Sequence, residues 1–442
     1  MSARLPSQHP ASQHELSGRA RDGDVDAQIA LAELLDAEGL RDEAANWLSH
    51  AAGARHPYAN ALYGAWQLLG HNVPLDLPRG VERICFAAEM GESAACALLA
   101  NLHASGLGVE QSWHRSLDWL TSAAKLGNAR ALTQLGLLQP GSPLDGMKVA
   151  LLWGAASRNF DPAQHLLGKA LLGAADGQHR ATGVAWLQLA RRAGNPCAMP
   201  QFADDDVAAG LRGPVSIDGL PWQKIRERID IGRCLAAPAN AQALQARPLI
   251  QSSQALIPPE FCDYLVGLAA PLMRRAEVNE RSQGRQAHDM RTNSAMNFGP
   301  TNSDVVLQLI NHRVALATRE PVRHQENTAV LRYRPGEAYE NHFDFIDPAV
   351  PAFQEELEQR GQRVATLLIY LNDSFEGGET AFPELAWKYR GSAGHALWWR
   401  NVRADGTPDP RTLHAGRPPT RGDKWLLSKW IRNKPQPAGP PN

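Results

Sequence analysis

The spacing of apolar residues changes character near residue 248. Before it, apolar positions recur every three to four residues in blocks that stop at glycines. ACALLANLHASGLG from Ala95 and SLDWLTSAAKLG from Ser116 are two such blocks. Their period predicts amphipathic helices. Beyond residue 248 a helix is expected near Pro258–Arg275, and then short β-rich runs dominate. These are TAVLRY from Thr328, RVATLLIYLN from Arg363, HALWWR from His395 and KWLLSKWI from Lys424. Runs of that length between glycine and proline turns predict a β-sandwich or barrel.

The helical half is periodic on a longer scale. Ala-Ala pairs stand at Ala51-Ala52, Ala87-Ala88, Ala123-Ala124 and Ala155-Ala156, with Ala190-Arg191 next in line, at offsets of 36, 36, 32 and 35. A second series begins at Ala27, Ala59, Ala95, Ala129 and Ala163, with offsets of 32, 36, 34 and 34. Each unit reads as two helices. One such pair cannot bury its apolar face alone, so five units are expected to stack into an α-solenoid over residues 22–195. Residues 1–21 are polar and lack the apolar stretch of a signal peptide, which predicts a disordered lead-in. Residues 196–248 lose the period and read as a connector with one helical piece near Trp222–Cys234, then an Ala/Gln segment. A second domain is expected over 249–435, followed by a tail over 436–442.

Bulk composition narrows the function classes. The chain has 442 residues, 43% of them hydrophobic and 21% charged. Lys+Arg (45) and Asp+Glu (46) nearly cancel, which gives no case for nucleic acid or an anionic membrane as partner. No uninterrupted apolar run reaches the roughly 18 residues of a membrane span. The 5 cysteines are scattered and form no CxxC. Neither a disulfide framework nor a zinc site is indicated, and a reducing, cytoplasmic setting is expected.

The candidate chemistry lies in YRPGEAYENHFDFID, Tyr333 to Asp347. His342 and Asp344 are two apart, so on a strand they would share a face and could converge on one cation. His414 follows about 70 residues later, and Lys424 ten residues after that, inside the apolar run WLLSKW. Two His and one Asp form a facial triad suited to non-haem Fe(II), with positions left open. A partly buried Lys beside it can pair with the far carboxylate of a chelating oxo-acid. Alone, each element is weak: an H-x-D is usually a turn, and a lysine among apolar residues usually snorkels.

Two families now match these strings. The repeats resemble the Sel1-like branch of the tetratricopeptide-type repeats, on the AA-x-x-G endings and the GLGV turn at Gly106–Val109. Residues from about 250 to 433 resemble the prolyl 4-hydroxylase branch of the 2-oxoglutarate- and Fe(II)-dependent dioxygenases. The matching strings are Tyr333-x5-Tyr339-x2-His342-x-Asp344, RVATLLIYLN, GGETAFP from Gly377, and HAGRP-x3-GDKW-x4-WI from His414.

The resemblance implies a double-stranded β-helix (jelly roll) with flanking helices. It implies Fe(II) on His342, Asp344 and His414, and 2-oxoglutarate held by Lys424 with help from Tyr333 and Thr380. Tyr339, Arg363, Trp430, Glu326 and Arg291 match positions on the substrate side or around the metal. Trp430 reads equally well as core, and Arg363 as a structural ion-pair partner. Ascorbate is expected as reductant. The expected reaction is hydroxylation of a protein substrate, at C4 of a peptidyl proline, with release of succinate and CO2. The carboxylate of Asp344 favours hydroxylation over halogenation, which needs that position vacant. Asn293, Arg417 and Arg432 depart from common family residues and bear on the substrate rather than on the reaction. The solenoid reads as a surface for a protein partner or as packing support for the catalytic domain. The alternatives are the same chemistry on another residue or a small metabolite, or a non-catalytic repeat scaffold with a relic jelly roll.

Overall fold

The computed structural model describes residues 13–198, 216–236, 241–276 and 291–436. Residues 1–12 of the expected lead-in, 199–215 and 237–240 of the connector, and 437–442 of the tail lie outside the described residues.

The chain enters through α1 (Gln13–Arg21), which packs on α2 (Val25–Ala37) and buries Ala20. This corrects the expected lead-in over 1–21, whose second half is a docked helix. Its composition is too polar to show a stripe, and its one buried side chain fits the groove left by the first unit. Five helix pairs follow: α2 with α3 (Arg41–Gly53), α4 (Pro57–Leu69) with α5 (Leu77–Glu89), α6 (Ser93–Ser105) with α7 (Trp113–Lys125), α8 (Ala129–Leu138) with α9 (Gly146–Ala156), and α10 (Asp161–Leu172) with α11 (Gly177–Arg192). They form an α-solenoid.

The two alanine series are physically joined. The side chain after the leading alanine reaches back eight residues to an alanine carbonyl at the end of the preceding unit. Gln28 Nε2 donates to Ala20 O (3.1 Å), Asn60 Nδ2 to Ala52 O (2.9 Å) and Gln164 Nε2 to Ala156 O (3.2 Å), while Cys96 Sγ lies 3.7 Å from Ala88 O. Each contact adds a side-chain donor to a carbonyl that already accepts a backbone N–H of the following turn, tying each unit to the end of the one before. Small residues set the helix approach: a Cβ on Gly168 or Gly183 would meet the other's carbonyl oxygen at 2.8 Å.

The segment after the solenoid holds α12 (Trp222–Glu227) and α13 (Ile231–Leu235) in place of the one expected helical piece. Arg228 ends the first, and Asp230 caps the second by accepting from Arg233 N. The expected Ala/Gln segment is strand β1 (Gln242–Ala246), which pairs with β2 (Leu249–Ser253). The domain boundary expected at 249 therefore falls inside a hairpin.

The C-terminal half is an antiparallel double-stranded β-helix. Its strands are β1, β2, β3 (Arg274–Arg275), β4 (Ser294–Phe298), β5 (Thr328–Tyr333), β6 (Tyr339–His342), β7 (Arg363–Tyr370), β8 (Glu376–Gly377), β9 (Thr380–Phe382), β10 (Trp387–Tyr389), β11 (Ala396–Arg400), β12 (His414–Gly416), β13 (Pro419–Arg421) and β14 (Lys424–Arg432). The large sheet runs β1-β2-β11-β7-β14-β5-β4-β3, and the small sheet runs β10-β9-β12-β6. Strand alternation divides the large sheet into two faces. Leu331, Leu368, Tyr370, Leu397, Trp399 and Leu426 cluster inside the roll. Val330, Leu367, Ile369, Trp398 and Leu427 join the core that includes α14 (Pro259–Ala269) and α15 (Val305–Thr318).

That outer core is continuous with the solenoid, since Leu99, Leu135 and Leu167 belong to the same buried cluster. Asp304 is the polar node of the contact. Its Oδ1 caps α15 through Leu307 N (2.9 Å), and its Oδ2 accepts from Arg130 Nε of α8 (2.8 Å) and from the Tyr264 hydroxyl (2.7 Å). Asn101 of α6 and Gln134 of α8 add hydrogen bonds to Pro300 O and Val305 N. Among the described residues no helix is long and apolar enough to cross a membrane.

Candidate active site

The small sheet builds the centre. His342 ends β6 and His414 begins β12, and the two are direct cross-strand partners. Asp344 lies in the bend just after β6 rather than on the strand. The bend turns its carboxylate back between the imidazoles. His342 Nε2 is 3.7 Å from Asp344 Oδ1, and His414 Nε2 is 3.4 Å from Asp344 Oδ2.

The hydrogen bonds around the three residues point their lone pairs inward. His342 Nδ1 is 2.7 Å from Glu340 O, and His414 Nδ1 is 3.0 Å from Thr412 O. A carbonyl can only accept, so each Nδ1 carries the proton and each Nε2 is free to ligate. Burial, with His414 close by, pushes the His342 imidazole down to about 3, so it is neutral at physiological pH, as a ligand must be. Burial alone would raise the Asp344 carboxyl, but His414, His342 and the Thr366 hydroxyl hold it below its ordinary value. The neutral His342 imidazole, the inward-facing Nε2 of His414 and an ionised carboxylate fit a divalent cation.

Lys424 decides what else the cavity can hold. It opens β14 directly across from Tyr333 of β5. Its side chain is wholly buried, and its Nζ has no hydrogen-bond partner among the described residues. The rings of Tyr333 and Tyr370 stand 5.0 and 5.7 Å away. Burial pushes the amine down to about 7. A buried, unsatisfied ammonium is costly, and an anion at this end of the cavity would satisfy it. Thr380 lies nearby, its Oγ1 3.0 Å from the Tyr370 hydroxyl.

All eleven residues singled out from the sequence line one cavity of about 1710 Å³. Tyr339 is stacked on His342, with ring centroids 3.5 Å apart, and the Arg291 guanidinium lies 4.8 Å above the tyrosine ring. Arg363 donates to both oxygens of Glu326 (2.7 and 3.3 Å) and covers the Trp430 ring at 3.7 Å. Burial alone would raise Glu326, but Arg363 and Arg432 outweigh it and hold the carboxyl at about 2. Glu326 and Arg363 thus form an ion pair in the cavity wall, and Trp430 is packed beneath it. Arg432, one of the departures noted above, is wholly buried and completes this cluster through Glu326 and Glu356.

Comparison with known proteins decides the family. Residues 328–432 match the 2OG-Fe(II) oxygenase superfamily. The chain is 34% identical over 245 residues to prolyl 4-hydroxylase 1 of Arabidopsis thaliana, covering 50% of this chain and 84% of that one. The chain belongs to the prolyl 4-hydroxylase family. Prolyl 4-hydroxylase 5 of the same plant is 33% identical over 198 residues, covering 39% of this chain and 64% of its own length. The chain thus spans most of the first relative and just under two thirds of the second. For the solenoid, a Sel1 repeat protein from Oxalobacter formigenes is 24% identical, covering 42% of this chain and 57% of that one, with a TM-score of 0.37.

Three residues of this prolyl 4-hydroxylase family member escaped the sequence reading. Thr366 donates its hydroxyl to Asp344 Oδ2 (2.7 Å), and Asn401 Nδ2 donates to Thr366 Oγ1 (3.0 Å). Tyr370 reaches Thr380 and flanks Lys424. For two of them a signal existed: in RVATLLIYLN, alternation puts Thr366, Leu368 and Tyr370 on one face, and two of those three are polar in an otherwise apolar strand. Asn401 has no such local signal, because it sits past the end of β11.

Proposed function

We propose that this protein is an Fe(II)- and 2-oxoglutarate-dependent dioxygenase that hydroxylates a peptidyl proline at C4 in a protein substrate. The observation that carries the reading is the buried, unpartnered Lys424 Nζ in the same cavity as His342, Asp344 and His414. Those three residues would hold Fe(II), and Lys424 would bind the far carboxylate of 2-oxoglutarate, with Tyr333 and Thr380 beside it. The bound metal and cosubstrate supply oxidation of a C–H bond, with succinate and CO2 as coproducts, and ascorbate would restore iron oxidised in uncoupled turnover.

The chain's own residues do the positioning. The cross-strand register of β6 and β12 fixes the two imidazoles before any metal arrives. Thr366 and Asn401 fix the rotation of the Asp344 carboxylate. The stack of Arg291, Tyr339 and His342 closes one wall, and the Arg363–Glu326 pair over Trp430 forms the other. The apolar shell of Phe382 and Trp399 around His414 keeps water from that side.

The size of the cavity favours a peptide over a small metabolite. Small-molecule pockets run to about 1,000 Å³, and this one is a trough that continues past Pro300 and Asn302 to Leu69 at the end of α4. The repeats act in two ways in this reading. Units three to five brace the catalytic domain through α14 and α15, and the first unit, which shares a separate core with α1 and one face of α4, presents a surface to a protein partner. The compartment is read as cytoplasmic, in line with five free cysteines.

Turnover of the purified chain with Fe(II), 2-oxoglutarate and proline-containing peptides tests the proposal. Succinate release with a gain of one oxygen on proline supports it. Oxygen on another residue, or on a free metabolite, moves the substrate assignment and leaves the reaction intact. Absence of 2-oxoglutarate binding would return the protein to a non-catalytic scaffold. Capture with an inactive His414→Ala chain, followed by mass spectrometry, identifies the substrate protein.

A further inference from the structure

A second group of metal-ligating side chains lies where the solenoid meets the catalytic domain. His165 comes from α10, Cys197 from the segment that leaves the solenoid, and Asp263 from α14. Their ligand atoms all lie within 4.8 Å of one another. The catalytic residues His342, Asp344 and His414 are the other group among the described residues that meets the same condition.

His165 is 5% exposed, and among the described residues neither of its ring nitrogens has a hydrogen-bond partner. A buried imidazole left this way loses the hydration it had in the unfolded chain. Its Nε2 stands 3.4 Å from Asp263 Oδ2 without the alignment of a hydrogen bond. That separation equals the one between His414 Nε2 and Asp344 Oδ2 in the catalytic triad. It is also the edge of a zinc tetrahedron with ligand bonds of about 2.0–2.1 Å.

The other two ligands are held from behind. The Asn195 side chain accepts from Cys197 N (3.0 Å) and donates to Asp161 (2.9 Å), which pins the backbone that carries the thiol. Lys169, one turn along α10 from His165, donates to Asp263 Oδ2 at 2.7 Å. The Lys169 side chain is 56% exposed, so it can swing outward and free Oδ2 to ligate.

We propose that His165, Cys197 and Asp263 form a second metal site, separate from the catalytic one, that takes Zn²⁺ and clasps the solenoid to the catalytic domain. The donor set names the cation. One thiolate and one imidazole exclude Ca²⁺ and Mg²⁺, which need oxygen, and suit a borderline divalent ion. Binding deprotonates the Cys197 thiol and releases one proton to solvent. Three protein ligands leave a fourth position for water.

The experiment uses the full chain with His342→Ala and His414→Ala, so that the catalytic triad no longer competes, and Co²⁺ as the probe. The expected result is one equivalent of Co²⁺ bound with a near-ultraviolet thiolate-to-cobalt charge-transfer band, bleached by one equivalent of Zn²⁺. Cys197→Ser should lose the band, and Lys169→Met should keep it. The proposal fails if the chain with all its cysteines gives no charge-transfer band. It also fails if the band survives Cys197→Ser, because another thiol would then be its source. The first readout needs no substitution at the site, so misfolding of the serine variant leaves the proposal open to refutation.

Discussion

His414 is the direct cross-strand partner of His342, with ring centroids 4.2 Å apart. One pair of hydrogen-bonded strands therefore sets the bite of the site. His414→Ala would remove one of three proposed protein ligands together with the ring that packs on Trp399 and Phe382. Succinate formation is expected to fall to background, with circular dichroism checking that the chain stays folded. Normal turnover in this variant would remove His414 from the metal site.

Lys424 ties cosubstrate binding to pH. Its free amine titrates at about 7, against about 10.4 for an unperturbed lysine. Above pH 7 the empty site holds a neutral amine, and binding a dicarboxylate must draw in a proton. Affinity for 2-oxoglutarate is expected to be flat below pH 7 and to fall as pH rises through it, with proton uptake near pH 8 seen as a buffer-dependent binding enthalpy. Lys424→Met should abolish the pH dependence and weaken binding by roughly 3–5 kcal/mol, a hundredfold or more. Unchanged affinity in the methionine variant would place the cosubstrate elsewhere.

Thr366 would act on a bound metal through Asp344. Thr366→Val keeps shape and β-branching but deletes the hydrogen bond to Asp344 Oδ2, and it leaves Asn401 Nδ2 unpaired. Metal affinity is expected to drop about 10–100-fold, measured by equilibrium binding of Fe(II) under anaerobic conditions. Equal affinity in the two proteins would make Thr366 a packing residue only.

Asp304 couples the two halves. Asp304→Asn keeps an acceptor for the cap of α15 but strips the charge that faces Arg130. Removing one partner of such a pair costs about 3 kcal/mol. Urea unfolding should show this loss, and the solenoid and catalytic halves should begin to unfold at separate midpoints. A single transition at the original midpoint would mean that apolar contact alone joins them.

Much of this protein was legible along the chain because its signals are periodic or clustered. The alanine series exposed the repeat, since each unit must place small residues where backbones cross. His342-x-Asp344 and Lys424 were legible by type and spacing, because a metal and a dicarboxylate demand those groups. What stayed hidden depended on partners far away in sequence. Glu326 and Arg363 looked like substrate contacts, yet they pair with each other in the cavity wall, and Arg432 completes the pair from another strand. Strand β1 read as linker because its residues are mostly polar, and only pairing with β2 makes it part of the sheet.

The sequence by itself determined the solenoid, the barrel class and the types of side chain that gather in the cavity, since periodicity and side-chain chemistry are local properties. Tertiary structure alone decided the rest. Cross-strand register joined His342 to His414, a bend carried Asp344 between them, and the shared core fixed the solenoid on α14 and α15. Those outcomes depend on contacts between residues tens to hundreds of positions apart, and no local pattern encodes which distant surfaces will exclude water together.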